Sequence, residues 1–98
     1  MGKIRRLVLD VLKPHEPSII ELASRLSLLS GVDSVNINMY EIDLKVENAK
    51  ITLEGPDIDY QTVLAAIGED GGTVHSIDEA VAGKSIINSA ETLQDPQG

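Results

Sequence analysis

Stretches with an apolar residue at every second position alternate in this chain with stretches whose apolar spacing is that of a helix. The period of two predicts strands over residues 4–12, 32–42, 48–54 and 73–83. The helical spacing predicts helices over 18–30 and 59–70, and residues 43–47 would connect the middle two strands as a hairpin. With right-handed crossovers, this β-α-β-β-α-β order folds as a four-stranded antiparallel sheet, strand order 4-1-3-2, with both helices on one face. The predicted fold is therefore α+β, a ferredoxin-like sandwich.

The beginning of the first helix has two alternative signals. Ser18 and Glu21 have the S-x-x-E spacing of a capping box. Alternatively, Pro17 takes the first helical position and Glu16 is the cap. For the second helix, Asp59 is the expected N-cap.

An excess of acidic residues narrows the classes of partner. Sixteen Asp and Glu against eight Lys and Arg give a net charge of −8. Such a surface repels nucleic-acid phosphates and anionic lipid, so we expect neither nucleic acid nor membrane as a partner. It favours divalent cations or basic partners instead. Cysteine is absent, which excludes disulfides and thiolate metal sites.

The length and the hydropathy of the chain indicate one small domain. Its 98 residues are enough for one two-layer core, and we expect a single domain over residues 1–84. Residues 85–98 lack a sustained pattern and are expected to form a mostly mobile C-terminal tail. No apolar run approaches transmembrane length, and the chain opens into a strand rather than a signal peptide. We therefore expect a cytoplasmic protein.

The functions that ferredoxin-like folds perform can be tested against the residues they need. An RNA-binding sheet needs aromatic platforms and a basic surface, whereas this acidic chain has no Phe or Trp. An acylphosphatase-like enzyme needs an arginine in the first strand–helix loop, where Lys13 is the only cation. Only Asp10, His15 and His75 could do acid–base work, and nothing in the sequence places them in one pocket. An enzyme is the weakest hypothesis.

Two helices cover one face of the predicted sheet and leave the other open. We expect this open face to present Val8, Asp10, Leu12, Asn36, Asn38, Tyr40, Ile42, Lys50 and Thr52. One interpretation is an ordinary exposed sheet face with scattered aliphatic residues. We favour a subunit interface, through the sheet face or an edge strand, and hence a homo-oligomer.

Acidic and histidine side chains gather at one end of the predicted sheet and indicate a metal site. The side chains expected there are those of Asp10, His15, Glu16, Glu41, Asp43, Glu47 and His75. The candidate ligands are Asp10, Glu41, Asp43 and His75, together with Asp78, which could bind a cation at a subunit interface. Calcium or magnesium would use the carboxylates, and zinc would prefer the histidines with one or two carboxylates. We therefore expect Ca²⁺ or another divalent cation, and the sequence implies no organic cofactor.

A simpler explanation exists for several of these residues. A carboxylate in a central strand needs a partner, and Asp10 could pair with His75 or with Arg6. His15 and Glu16, which lie between two prolines, could merely cap and start the first helix. On this interpretation the region is a strand-to-helix corner and no metal binds there.

Four segments of the chain together are similar to a known family. They read RRLVLDVLKPHEPSIIELA, GVDSVNINMYEID, KITLEG and VHSIDEAVAGK. In order and spacing they resemble, over residues 3–84, the small archaeal proteins grouped as domain of unknown function 211. The resemblance implies a ferredoxin-like fold, an archaeal cytoplasmic protein and assembly into oligomers. It implies no catalytic residues, because the family is named for lacking an established activity.

The sequence leaves two functional hypotheses of different classes. The first is a homo-oligomeric binding or assembly module that binds a divalent cation, with calcium as the first candidate. The alternative is a regulatory sensor that binds a small amino-acid-like molecule at subunit interfaces, near the first strand–helix loop. Sensor domains of this fold favour a glycine in that loop, whereas here Pro14 and Pro17 bracket it.

Overall fold

The computed structural model describes residues 2–87, and its elements follow the predicted order. The strands are β1 (Ile4–Pro14), β2 (Ser34–Ile42), β3 (Val46–Glu54) and β4 (Thr73–Ala82), and the helices are α1 (Ile19–Ser27) and α2 (Tyr60–Glu69). All strand pairs are antiparallel in the order β2-β3-β1-β4, which is the predicted order read from the other edge. The ferredoxin-like α+β prediction is confirmed. Residues 88–98, most of the expected tail, lie outside the described residues.

The core lies between the two helices and one face of the sheet. Alternate residues of the two central strands are buried there, namely Leu7, Leu9, Val11, Ala49, Ile51 and Leu53. The helices contribute Leu22, Leu26, Val63 and Ile67. Burying each leucine or isoleucine stabilises the fold by roughly 1.5–3 kcal/mol. Within residues 2–87, neither helix is long and apolar enough to cross a membrane.

The ladder between β1 and β3 is longer than predicted, and the loop between β2 and β3 is correspondingly shorter. Pairing continues as far as Pro14, which lies opposite Val46. The prediction that residues 43–47 form a polar connection is therefore wrong at Val46 and Glu47, which belong to β3. The Asp43 amide donates to the Val46 carbonyl at 2.8 Å and closes the short loop. Cross-strand pairing overrides the polar composition of this segment.

A bulge in β2 changes which side chains reach the open face, the sheet face that the helices leave uncovered. The register shifts between Met39 and Glu41, so that Glu41 lies opposite Asn48 and Ile42 lies opposite Glu47. Residues opposite each other in a ladder share a face, and Glu47 points to the helix side. The expectation that Ile42 lies on the open face is therefore wrong, because the bulge reverses the alternation.

The predicted caps of both helices are confirmed. Ser18 Oγ accepts a hydrogen bond from the Glu21 amide at 3.2 Å, and the Glu21 carboxylate accepts one from the Ser18 amide at 3.1 Å. The alternative with Glu16 as the cap is wrong. In α2, the Asp59 carboxylate accepts from the Gln61 amide at 3.0 Å. These contacts satisfy amides that the first turn of each helix would leave without partners.

The helix α1 ends at Ser27, earlier than the predicted residue 30, because the chain tightens into i to i+3 bonds after it. The chain then reverses at Gly31, which has a φ of 85°. A Cβ atom there would lie 1.9 Å from the Asp57 carbonyl oxygen. Both the left-handed backbone and this close approach require glycine.

Candidate functional site

Asp10 lies at the centre of the open face. It is half-buried, opposite Lys50 on β3 and Ser76 on β4. The Tyr40 hydroxyl reaches across β3 and donates a hydrogen bond to the Asp10 carboxylate. This hydrogen bond, followed by loss of solvation and the charge of Asp10, raises the pKa of Tyr40 to about 12. The carboxylate in the central strand is thus satisfied by a tyrosine.

A second carboxylate of the open face, Asp78, is held by two neighbours. Ser76 Oγ donates to Asp78 Oδ1 at 2.7 Å, and Lys50 Nζ lies 3.1 Å from Asp78 Oδ2. These two contacts, the serine first, hold the pKa of Asp78 below its usual value. Asp78 is therefore an anion that already has one cation beside it.

Neither of the simple partners predicted for Asp10 contacts it. The register of β4 shifts beside Asp10 and leaves the exposed His75 in a bulge, away from the position opposite Asp10. Arg6 binds two other carboxylates, those of Glu54 at 2.7 Å and Glu79 at 3.2 Å. Both pairs are wrong predictions, the first because of the bulge and the second because Arg6 has closer acceptors.

The remaining predicted ligands, Glu41 and Asp43, lie at and beyond the end of β2. Glu41 accepts a hydrogen bond from Asn48 Nδ2 at 3.4 Å. The Asp43 carboxylate accepts one from the Leu44 amide at 2.7 Å, within the hairpin loop. Their carboxylates stabilise the hairpin and each keeps further oxygen lone pairs for another ligand.

The predicted metal ligands thus occupy three places in the fold. Asp10 and Asp78 lie on the open face, Glu41 and Asp43 at the hairpin, and His75 in the β4 bulge. Within the part of the chain that the structure describes, no group of three or more His, Asp or Glu side chains is arranged to hold a metal ion. The predicted ligands therefore do not converge on one place in the described part of the chain.

A buried ion pair joins the ends of β1 and β3. Lys13 and Glu47 lie opposite each other, and Lys13 Nζ is 2.7 Å from Glu47 Oε1. Their side chains are 2% and 11% exposed. The ammonium also donates to the Pro14 carbonyl oxygen at 2.8 Å. Removal of Glu47 would leave the shielded Lys13 ammonium without its counter-charge.

His15 fastens the hairpin loop to this ion pair. Its Nδ1 lies 2.9 Å from Glu47 Oε2, and its Nε2 lies 2.8 Å from the Leu44 carbonyl oxygen. Both of these oxygen atoms are acceptors. Because a neutral imidazole has only one N–H, only the imidazolium can donate both hydrogen bonds. These bonds, the one to Glu47 first, raise the pKa of His15. His15 and Lys13 in turn lower the pKa of Glu47.

The interpretation of His15 and Glu16 as helix-capping residues is therefore wrong. Ser18 is the cap, and His15 binds the hairpin instead. The sequence did contain a signal for the buried ion pair, because Lys13 continues the alternation of the buried β1 residues and Glu47 that of β3. Sequence alone has no comparable signal for His15, which depends on how the hairpin loop folds back.

Large apolar side chains are exposed near both edges of the sheet. On the β2 side, Tyr40 is 55% exposed, Ile42 66% and Leu44 92%. On β4, Ile77 is 51% exposed. Each edge strand pairs with one neighbour in the described sheet, β2 with β3 and β4 with β1. Both edges therefore combine free backbone groups with apolar side chains.

A cleft of about 530 Å³ lies at the end of the sheet opposite the first strand–helix loop. It is lined by residues from the start of β1 and the start of α2, including Ile4, Asp57 and Tyr60. No residue of the first strand–helix loop contributes to its lining. The position that a small-molecule sensor would use is therefore separate from this cleft.

Two comparisons with known proteins identify the family of this chain. The family model of domain of unknown function 211, described as uncharacterized ArCR, matches residues 5–96. The match continues past Lys84, where the resemblance in the sequence was expected to end. An uncharacterized protein of the archaeon Methanocaldococcus jannaschii is 54% identical over 95 residues, which cover 97% of this chain and 98% of that protein. The chain therefore belongs to the domain of unknown function 211 family.

Proposed function

We propose that this chain is a homo-oligomeric assembly module, in which copies join through the exposed edges of the sheet and hold a divalent cation between them. The observation that carries the proposal is the edge of β2, which no other strand of the described residues covers. From Ser34 to Tyr40 this strand has no charged residue and no proline. Natural proteins usually blunt such an edge with charges, with proline or with a covering segment. A second copy of the chain supplies a strand that covers it.

Exposed apolar side chains support the same contact. Ile42 and Leu44 lie at the hairpin end of β2, and Ile77 lies on β4. Pairing the β2 edge of one copy with the β4 edge of the next removes such side chains from solvent on both sides of the contact. A contact of this kind uses two different surfaces and closes into a ring when the rotation between copies permits.

The cation belongs between copies because no complete ligand set lies within the described part of one chain. The candidate ligands remain Asp10, Glu41, Asp43, His75 and Asp78. Of these, Glu41 lies at the end of the β2 edge, and Asp78 lies on the β4 edge. Carboxylates from two copies would give the several hard oxygen ligands that calcium prefers. A bound cation would also relieve the repulsion between copies that each carry a charge of −8.

Absolute mass by light scattering on a sizing column, first in chelator and then in calcium, tests this function. We expect several subunits in calcium and a smaller particle in chelator. Asn36→Lys places a charge on the β2 edge and should lower the mass. Gln61→Lys adds the same charge to an exposed position of α2 and should leave the mass unchanged.

The two parts of the proposal fail separately. A wild-type monomer in both conditions would contradict the assembly function. The protein could instead be an oligomer with the same mass and the same melting temperature after chelation and after addition of calcium, magnesium, manganese or zinc. That result would support the assembly function and contradict the bound cation.

The alternative, a small-molecule sensor, has less support. In the first strand–helix loop and beside it, His15 and Lys13 are already engaged with Glu47. The cleft of about 530 Å³ lies at the opposite end of the sheet. A thermal-shift panel of amino acids and related metabolites tests this alternative, and a saturable rise in melting temperature would reverse the preference.

A further inference from the structure

The end of the sheet away from the hairpin differs in charge from the rest of this acidic chain. A cleft of about 590 Å³ there, which we name the cationic cleft, is lined by Gly2, Lys3, Arg5, Gly83 and Lys84. Among the residues that the structure describes, its lining holds three cations and no carboxylate. The whole chain has eight Lys and Arg against sixteen Asp and Glu, so the positive charge of this cleft is opposite in sign to the net charge of the chain.

The cations of this cleft are not used in ion pairs within residues 2–87. The ion pairs in that range are made by Arg6, Lys13, His15, Arg25 and Lys50. Lys3, Arg5 and Lys84 belong to none of them. Three positive charges that share one concave surface without a described counter-charge attract an anion from solution.

The Arg5 guanidinium has a fixed position and one nitrogen without an acceptor among the described residues. Its Nη1 donates to the carbonyl oxygens of Lys84 at 2.9 Å and Gly83 at 3.4 Å, which fixes the group against the chain that follows β4. Its Nε is shielded from solvent and has no acceptor among the described residues. Nε and Nη2 form the planar edge with which arginine binds oxyanions through two parallel hydrogen bonds. A bound oxyanion would supply the acceptor that Nε lacks.

We propose that the cationic cleft binds a small oxyanion, inorganic phosphate or the phosphate group of a metabolite. Arg5 is the two-hydrogen-bond donor, and Lys3 and Lys84 are flanking charges. The negative charge elsewhere on the chain repels the same anion, which makes the cleft the preferred position. The cleft lies at the opposite end of the sheet from the hairpin, beside the last residues of β4.

Titration of the full chain with inorganic phosphate, followed by ¹H–¹⁵N correlation NMR at constant ionic strength, tests the site. We expect saturable shifts of the amides of Gly2, Arg5 and Gly83. Lys84→Ala should weaken binding about tenfold. Lys45→Ala removes the same charge from the exposed hairpin loop and should change the affinity by less than about twofold.

A second variant separates charge from geometry. Arg5→Lys keeps the positive charge and loses the planar edge, so it should also weaken phosphate binding about tenfold while the far-UV spectrum is unchanged. Titration of wild type with glucose 6-phosphate distinguishes the two sources of phosphate. The ligand with the lower Kd, inorganic phosphate or the phosphorylated metabolite, is the preferred one. Shifts that do not saturate, saturable shifts centred elsewhere, or equal losses in Lys84→Ala and Lys45→Ala would overturn the proposal.

Discussion

The buried Lys13–Glu47 pair predicts a specific pattern of stabilities among Lys13→Met, Glu47→Leu and the double variant. Lys13→Met leaves the Glu47 carboxylate, 11% exposed, with His15 as its remaining cationic partner. Glu47→Leu leaves the Lys13 ammonium, 2% exposed, with carbonyl oxygens but no counter-charge. Each single variant should therefore be much less stable than wild type.

The magnitude follows from which charge is left behind. Breaking a buried ion pair by removing one partner costs about 3–5 kcal/mol. The loss of unfolding free energy in Lys13→Met should lie near the lower end of this range, because Glu47 is closer to the surface and keeps His15 as a partner. The loss in Glu47→Leu should lie near the upper end. The double variant replaces the pair by two aliphatic residues that continue the buried rows of β1 and β3. It should lie within about 1 kcal/mol of wild type.

Urea unfolding followed by far-UV circular dichroism, at equal subunit concentrations, measures these differences. A loss of about 3 kcal/mol lowers the melting temperature of a domain of this size by about 12–24 °C. A double variant as unstable as the sum of the single variants would refute the argument. Single losses below about 1 kcal/mol would show that water already solvates the pair.

Two further predictions concern the hairpin and the turn after α1. Because hydrogen bonds raise the pKa of His15 above its usual 6.5, its stabilising contribution is complete below that value and is lost as the pH rises through the raised pKa. The difference in urea midpoint between wild type and His15→Ala should therefore shrink as the pH rises above 6.5. A difference independent of pH would contradict the imidazolium contact. Gly31→Ala should destabilise by more than about 1 kcal/mol, because φ is +85° and its Cβ would lie 1.9 Å from the Asp57 carbonyl oxygen. The matched change Gly68→Ala, in a helix with open space around the new Cβ, should stabilise by up to about 1 kcal/mol, and similar thermal shifts for both variants would contradict the backbone argument.

The element order and the strand order could be predicted because hydrophobic periodicity and right-handed crossovers leave few alternatives. The capping box of Ser18 and Glu21 is a local signal, and the structure contains it as predicted. The pairing of Lys13 with Glu47 was missed because polar composition suggested a loop. Extending each predicted strand by one residue, to Lys13 and to Glu47, would have placed both side chains on the buried face.

The surroundings of the candidate ligands were harder to predict because bulges decide them. A bulge shifts all following side chains by one position and has no firm signature in the sequence. In β4 a bulge puts Ser76 rather than His75 opposite Asp10. In β2 a bulge changes the side to which Ile42 points. The contact between Tyr40 and Asp10 crosses an intervening strand, and pairwise register alone does not reveal it.

The position of β1 between β3 and β4 determines when the sheet can be completed during synthesis. Arg5 binds the carbonyl oxygens of Gly83 and Lys84, which follow it by 78 and 79 residues. Contacts of such high sequence separation slow folding, because a long loop must close before the contacts stabilise it. One side of β1 stays without a partner strand until β4 has left the ribosome. Docking of β4 onto β1 is therefore expected to be a late step of folding, and β1 is the strand most exposed to mispairing between nascent chains.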